Sequence, residues 1–118
     1  MISQNQNYMK FNEYQKKALT TALYKKKCKI IYPALGLGSE VGEVMGKIKK
    51  WLRGDDGNGK MSKERKQALK EELGDVLWYV AVLSRDLGLS LDEIAKVNVA
   101  KLRSRQKRKM LRGDGDKR

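Results

Sequence analysis

Two pairs of carboxylates are the residues in this chain best placed to do chemistry: Glu40 with Glu43, and Glu72 with Asp75. Each pair is spaced i, i+3 in a segment with helical patterning. On a helix that spacing puts both side chains on one face, one turn apart. Two such helices packed antiparallel would aim all four acids at one spot. Carboxylates gathered that closely do not all stay ionised without a counter-charge. A hard divalent cation with oxygen ligands, such as magnesium, is the natural one, with manganese able to substitute. For a single pair, ordinary i, i+4 salt-bridge support such as Glu43 with Lys47 is account enough.

The elements that must position these acids read as helices. Only one proline occurs, Pro33, and strand-like alternation is sustained nowhere. An all-α fold with four main helices is expected. The first runs from about Lys10 to Tyr24, with Phe11, Tyr14, Ala18 and Ala22 on one side. Pro33 suits the first turn of the second, which continues to about Arg53 with the apolar stripe Leu37, Val41, Val44, Ile48 and Trp51. Residues Gly54 to Gly59 form a solvated turn by composition. Their acids superficially suggest a calcium loop, but the ligand spacing is out of register. Ser62 is the N-cap expected for the third helix, which runs to about Leu87 along Leu69, Leu73, Val76, Val80, Leu83 and Leu87. Gly88 reads as its stop. Ser90-Leu-Asp-Glu93 has the capping-box pattern that opens a fourth helix, which reaches about Lys109. The chain reads as one domain over 1–118, with 113–118 an extended tail.

Composition narrows the partners. The 118 residues carry 27 Lys and Arg against 14 Asp and Glu, a net charge of +13. That balance favours polyanions: nucleic acid, nucleotide phosphates or an anionic surface. No apolar stretch is long enough to span a bilayer, and Met1 to Asn7 lack the apolar core of a signal peptide. One cysteine, Cys28, permits no internal disulfide and suits a reducing cytoplasm. The absence of histidine excludes His-containing zinc sites, Ser-His-Asp triads and Glu-x-x-His di-iron pairs. Hydrolysis in such a chain must rely on carboxylates and metal-activated water.

Further polar residues share these faces. Lys47 and Lys50 follow Glu40 and Glu43 at one and two turns, an order that suits a metal-phosphate ligand. Gly38, Gly42 and Gly46 recur on one face of the second helix, each costing about 1 kcal/mol relative to alanine. Close approach of a ligand or close packing of another helix explains them equally well. Tyr79 continues the Glu72 and Asp75 stripe and is a candidate to touch ligand. Asn98 interrupts the apolar stripe of the fourth helix, with Lys101 and Arg105 at one and two turns, a polar strip expected to face the same cleft. Gln15, between Phe11 and Leu19, is a weaker candidate of this kind, with a satisfied core amide as the alternative.

Glu-x-x-Glu, 28 residues, then Glu-x-x-Asp resembles the signature of the MazG-type nucleotide pyrophosphohydrolases, of the all-α NTP pyrophosphatase superfamily. The flanking blocks are similar too: Phe11-Asn-Glu-Tyr-Gln15, Leu35 to Val44, Glu71 to Tyr79 and Val97 to Arg103. The ending Gly113 to Arg118 resembles that of short single-domain members. The resemblance implies a four- to five-helix bundle-like fold that assembles as a dimer or tetramer, with the site near the subunit interface. Position by position it makes Glu40, Glu43, Glu72 and Asp75 the metal-binding and catalytic residues. It makes Asn98 and Lys101 nucleotide contacts, and places Lys47 and Lys50 where the family often has phosphate-facing lysines. Ser39 departs from the pattern, since many members carry a glutamate there. The reaction implied is magnesium-dependent hydrolysis of nucleoside triphosphates between the α and β phosphates. The products are the monophosphate and pyrophosphate.

The rival reading is a small basic nucleic-acid-binding helical module, supported by Lys25 to Lys29 and Lys101 to Arg112. Aromatic residues are not interleaved with those cations as stacking platforms, and the module leaves the paired acids unexplained. Nucleic-acid binding would survive EDTA and loss of Glu40. Triphosphate hydrolysis would not.

Overall fold

A computed structural model describes residues 8–57 and 59–118. The reading of Met1 to Asn7 lies outside them, as does Asn58 of the glycine-rich turn. The described residues form four α-helices and no strand: α1 (Phe11–Leu19), α2 (Ile31–Leu52), α3 (Lys63–Asp86) and α4 (Leu91–Lys107), with a short 3-10 turn at Lys26–Cys28. The all-α expectation is met. α1 stops at Leu19, five residues before the expected Tyr24. The hydroxyls of Thr20 and Thr21 bond back to the carbonyls of Lys17 and Ala18, competing with the helical ladder.

Local signals place the other ends. The Ser62 hydroxyl accepts the Arg65 amide at 3.0 Å and opens α3. Gly88 takes a φ of 74° and closes it. The Ser90 hydroxyl accepts the Glu93 amide at 3.0 Å and opens α4. In the turn between α2 and α3, Asp56 accepts from Arg65 at 2.7 Å and from the Ser62 amide at 3.1 Å. That carboxylate is an anchor for the turn. The last six residues, expected to be extended, coil into turns. Arg118 donates to the carbonyls of Met110, Leu111 and Gly115.

α2 pairs with α3 along most of their lengths, α1 lies on α3, and α4 docks mainly on α1. The buried apolar core is small: Ala18, Ala81, Val82 and Leu91, with Tyr14, Leu19, Ala22, Tyr24, Trp78 and Val80 packed around it. Gln15 sits inside this core. Its amide nitrogen donates to the carbonyls of Ala81 and Leu89, both at 3.1 Å, and its oxygen accepts the Leu91 amide at 3.1 Å. Of its two expected readings, the satisfied core amide is the one observed. Gln15 staples α1 to α3 and to the start of α4.

A second polar anchor fixes the entry to α2. Ile30 holds a φ of 68°, which is strained for a β-branched residue. Its amide donates to the Asp86 carboxylate at 3.0 Å. Tyr24 donates its hydroxyl to the same oxygen at 2.5 Å, and Arg85 Nε donates to the other at 3.0 Å. Burial opposes the charge on Asp86, but the Ile30 amide, the Tyr24 hydroxyl and Arg85 hold its carboxyl below the usual value. The stability it contributes is therefore present above the ordinary aspartate pKa and is lost as pH falls through the depressed one. Asp86→Asn is expected to cost about 3 kcal/mol in urea unfolding at neutral pH. The gap to wild type should close as pH falls through the depressed Asp86 pKa.

Candidate metal centre

The α2–α3 pairing brings acids from both helices together. Glu40, Glu72 and Asp75 each offer a carboxylate oxygen, and these oxygens lie within 4.8 Å of one another. Glu43 lies outside this close group and is exposed. Three of the four expected acids therefore converge, with the fourth beside them. Burial, a hydrogen bond to Glu72 and the charges of Asp75, Glu72 and Glu43 push the Glu40 carboxyl up. Three carboxylates gathered so closely are an all-oxygen donor set short of positive charge, which suits a hard divalent cation.

One cation of the chain partly meets that need. Lys47 Nζ lies 3.1 Å from Glu72 Oε1, across the two helices. The expected Glu43–Lys47 pair is not among the ion pairs of the described residues. Because α3 packs beside α2, Lys47 reaches the neighbouring helix instead of back along its own. Lys50 is exposed one turn further on.

Aromatic side chains wall the centre towards the start of α2. Burial raises the Tyr79 hydroxyl pKa, with a hydrogen bond to Tyr32 and the charges of Tyr32, Glu40 and Asp75 adding to it. Tyr79 therefore stands at the acid group, as its place on the Glu72 and Asp75 stripe suggested. Its ring fills the space beside Gly36, where any Cβ would collide with it. Tyr32 stacks on Tyr24 with ring centroids 4.9 Å apart and meets Tyr79 at 6.4 Å. Tyr14 packs on the core near Asp75: burial raises its pKa, and the Asp75 charge adds to the shift. Sequence reasoning missed Gly36 and Tyr14 here. Gly36 differs from the other glycines of α2 in standing opposite a tyrosine, a pairing visible only once α2 and α3 are aligned.

Gly38, Gly42, Gly46 and Gly74 face open space, with no atom within 4 Å of a Cβ placed on any of them. Helix packing within one chain does not account for them. Gly38 and Gly42 belong to an uncovered face of α2. Ile31, Leu35, Gly38, Gly42, Met45 and Leu52 recur along α2 at heptad spacing. Leu35 is 71%, Met45 66% and Leu52 80% exposed.

The polar strip of α4 lies elsewhere in the chain. Asn98 and Lys101 line a groove of about 380 Å³ with Leu89, Glu93, Ile94 and Val97, and none of the four acids lines it. The shared cleft expected for Asn98, Lys101 and Arg105 is not formed within one chain. The reason is the docking of α4 on α1, where Asn12 accepts the Asp92 amide at 3.0 Å. Arg105 is buried and donates to the Asp116 carbonyl. Lys101 Nζ lies 3.4 Å from the Asp116 carboxylate.

An acid cluster at the seam of two long helices, with a Glu-x-x-Glu on one and a Glu-x-x-Asp on the other, is the arrangement the sequence blocks implied. The sequence pattern of the MazG nucleotide pyrophosphohydrolase domain matches residues 34–110. The chain belongs to the MazG nucleotide pyrophosphohydrolase family. The matched stretch covers α2 from its fourth residue and all of α3 and α4, and so contains every acid of the cluster. The chain is also 42% identical over 87 residues to the Gene 37 protein of Mycobacterium phage L5, covering 74% of this chain and 75% of that protein. No solved structure matches it.

The raised pKa of Glu40 has a direct consequence for the metal-free MazG fold. A carboxyl whose folded pKa is raised adds most stability below its unfolded pKa, and that contribution is lost as pH rises through the folded value. Ionised Glu40 thus opposes the metal-free fold at neutral pH. Glu40→Gln in EDTA should raise Tm at pH 7. At about pH 3, below the ordinary carboxylate range, it should leave Tm unchanged. Thermal scans at both pH values check this.

Proposed function

We propose that this protein hydrolyses nucleoside triphosphates between the α and β phosphates, releasing the monophosphate and pyrophosphate. The observation that carries the reading is the convergence of Glu40, Glu72 and Asp75 from α2 and α3 in a chain of this family. Their oxygens fit magnesium, with manganese as substitute. When bound, such a cation supplies charge neutralisation and lowers the pKa of water.

The chain's own residues supply the rest. Glu40, Glu72 and Asp75 hold and orient the metal-bearing triphosphate. Glu43, outside the close group, is the carboxylate left to accept the proton of the attacking water. Lys47, already paired with Glu72, and Lys50 one turn on offset charge on the leaving pyrophosphate. Tyr79 borders the acid group and limits the space open to the nucleotide.

Asn98 and Lys101 reach the nucleotide through assembly. In this reading a homodimer, or a tetramer built from it, covers the heptad face of α2 with a second copy. That copy's α4 then approaches the acids, with Arg105 behind Lys101. The open glycines on that face support close backbone approach. Leu35→Glu with Met45→Glu should convert the oligomer to monomer in light scattering. Activity should be lost in the same fractions.

The decisive experiment incubates the protein with NTPs and dNTPs in magnesium, and separates pyrophosphate from orthophosphate. Pyrophosphate is expected, and EDTA should abolish its release. Asp75→Asn and Glu43→Gln should each lower kcat by at least about a hundredfold. Turnover that persists in EDTA, or orthophosphate as the product, would overturn the reading. The basic nucleic-acid module predicts binding indifferent to EDTA and Glu40, and no observation on the acid cluster favours it.

A further inference from the structure

A second charged cavity lies away from the acids. It has a volume of about 480 Å³ and is lined by Ala22, Tyr24, Lys26, Lys29 and Arg85. Arg85 follows Asp75 by ten residues on α3, which sets it about 15 Å further along the helix. Three of the five lining residues are cationic, and no carboxylate lies among them.

The cations are held there by a built support. The Asp86 side chain is 0% exposed. One of its oxygens takes the Tyr24 hydroxyl and the Ile30 amide, and the other takes Arg85 Nε. Arg85 is thereby fixed through Nε at the wall of the cavity. The Ile30 bond, at a strained φ of 68°, fixes the segment that carries Lys26 and Lys29. Neither lysine has a carboxylate within ion-pair distance among the described residues, and the first seven residues contain no acid. Asp86 offsets the charge of Arg85, which leaves the two lysines without a counter-charge of their own, and an oxyanion relieves their repulsion. Arginine presents paired donors to phosphate oxygens, and lysine acts as a point charge beside it. The volume falls in the range of small-ligand sites.

We propose that this cavity is a second anion site that binds a small polyphosphate, either free or as the triphosphate of a nucleotide, independently of the acid cluster. The site does not depend on the hydrolase reading, because its ligands need no metal.

The test is calorimetric titration of the whole protein with inorganic tripolyphosphate in EDTA, which removes the contribution of the acid cluster. Binding near one per chain is expected. Lys26→Ala with Lys29→Ala should raise Kd by about tenfold or more. Both side chains are exposed, so this variant should keep the wild-type far-UV spectrum. Asp75→Asn should leave Kd unchanged. ATP binding with the same lysine dependence would extend the site to nucleotides and support it. No binding in EDTA would overturn the proposal. So would an equal loss on removing the exposed pair Lys63 and Lys66, which would mark general charge attraction. Binding of a single-stranded oligonucleotide through these lysines, with none of tripolyphosphate, would overturn it in favour of a nucleic-acid backbone contact.

Discussion

Repulsion among like charges is the constraint on which the rest of this molecule turns. Three carboxylate oxygens from Glu40, Glu72 and Asp75 stand within 4.8 Å of one another. The chain neutralises them only in part, through Lys47 on Glu72. Side-by-side packing of α2 and α3 forces the acids together, and the apolar residues between the helices must outweigh that cost. The raised pKa of Glu40, which favours its neutral form, is the metal-free remedy. A divalent cation is the stronger one, because it relieves all three pairwise repulsions at once.

The supports of this arrangement are mostly polar. Gln15 ties α1 to α3 and α4 at the centre of a small core. Asp86 ties the end of α3 to the start of α2. Both exchange several hydrogen bonds in a dry setting, where partial satisfaction is costly. They therefore specify one register between helices more sharply than the few buried aliphatic residues do. The register matters because a shift of one residue in α2 would carry Glu40 about 100° around the helix, away from α3.

Much of this was legible in the sequence. Spacing alone put Glu40 with Glu43 and Glu72 with Asp75 on helix faces. Serine caps and Gly88 marked the ends of α3 and α4, because capping is a local interaction. The pairing of Lys47 with Glu72 was not legible, since a lysine reaches one turn along its own helix or across to another with equal ease. Asp86 was hidden for a related reason. Its partners, Tyr24 and Ile30, lie 62 and 56 residues away. The separation of Asn98 from the acids was illegible because periodicity gives the face of α4 and not the helix it meets.

The glycines of α2 lead to one more consequence. Four of them, Gly36, Gly38, Gly42 and Gly46, lie inside a single helix, and together they lower its intrinsic helicity by roughly 4 kcal/mol relative to alanine. The element that carries Glu40 and Glu43 is thus the one whose backbone gains least from being helical. Its order is borrowed from its neighbours. A cation gripped from both helices would be a cross-link between a stiff wall, α3, and a soft one. Affinity for the ion and slowing of amide exchange along α2 would then be one free energy measured in two ways.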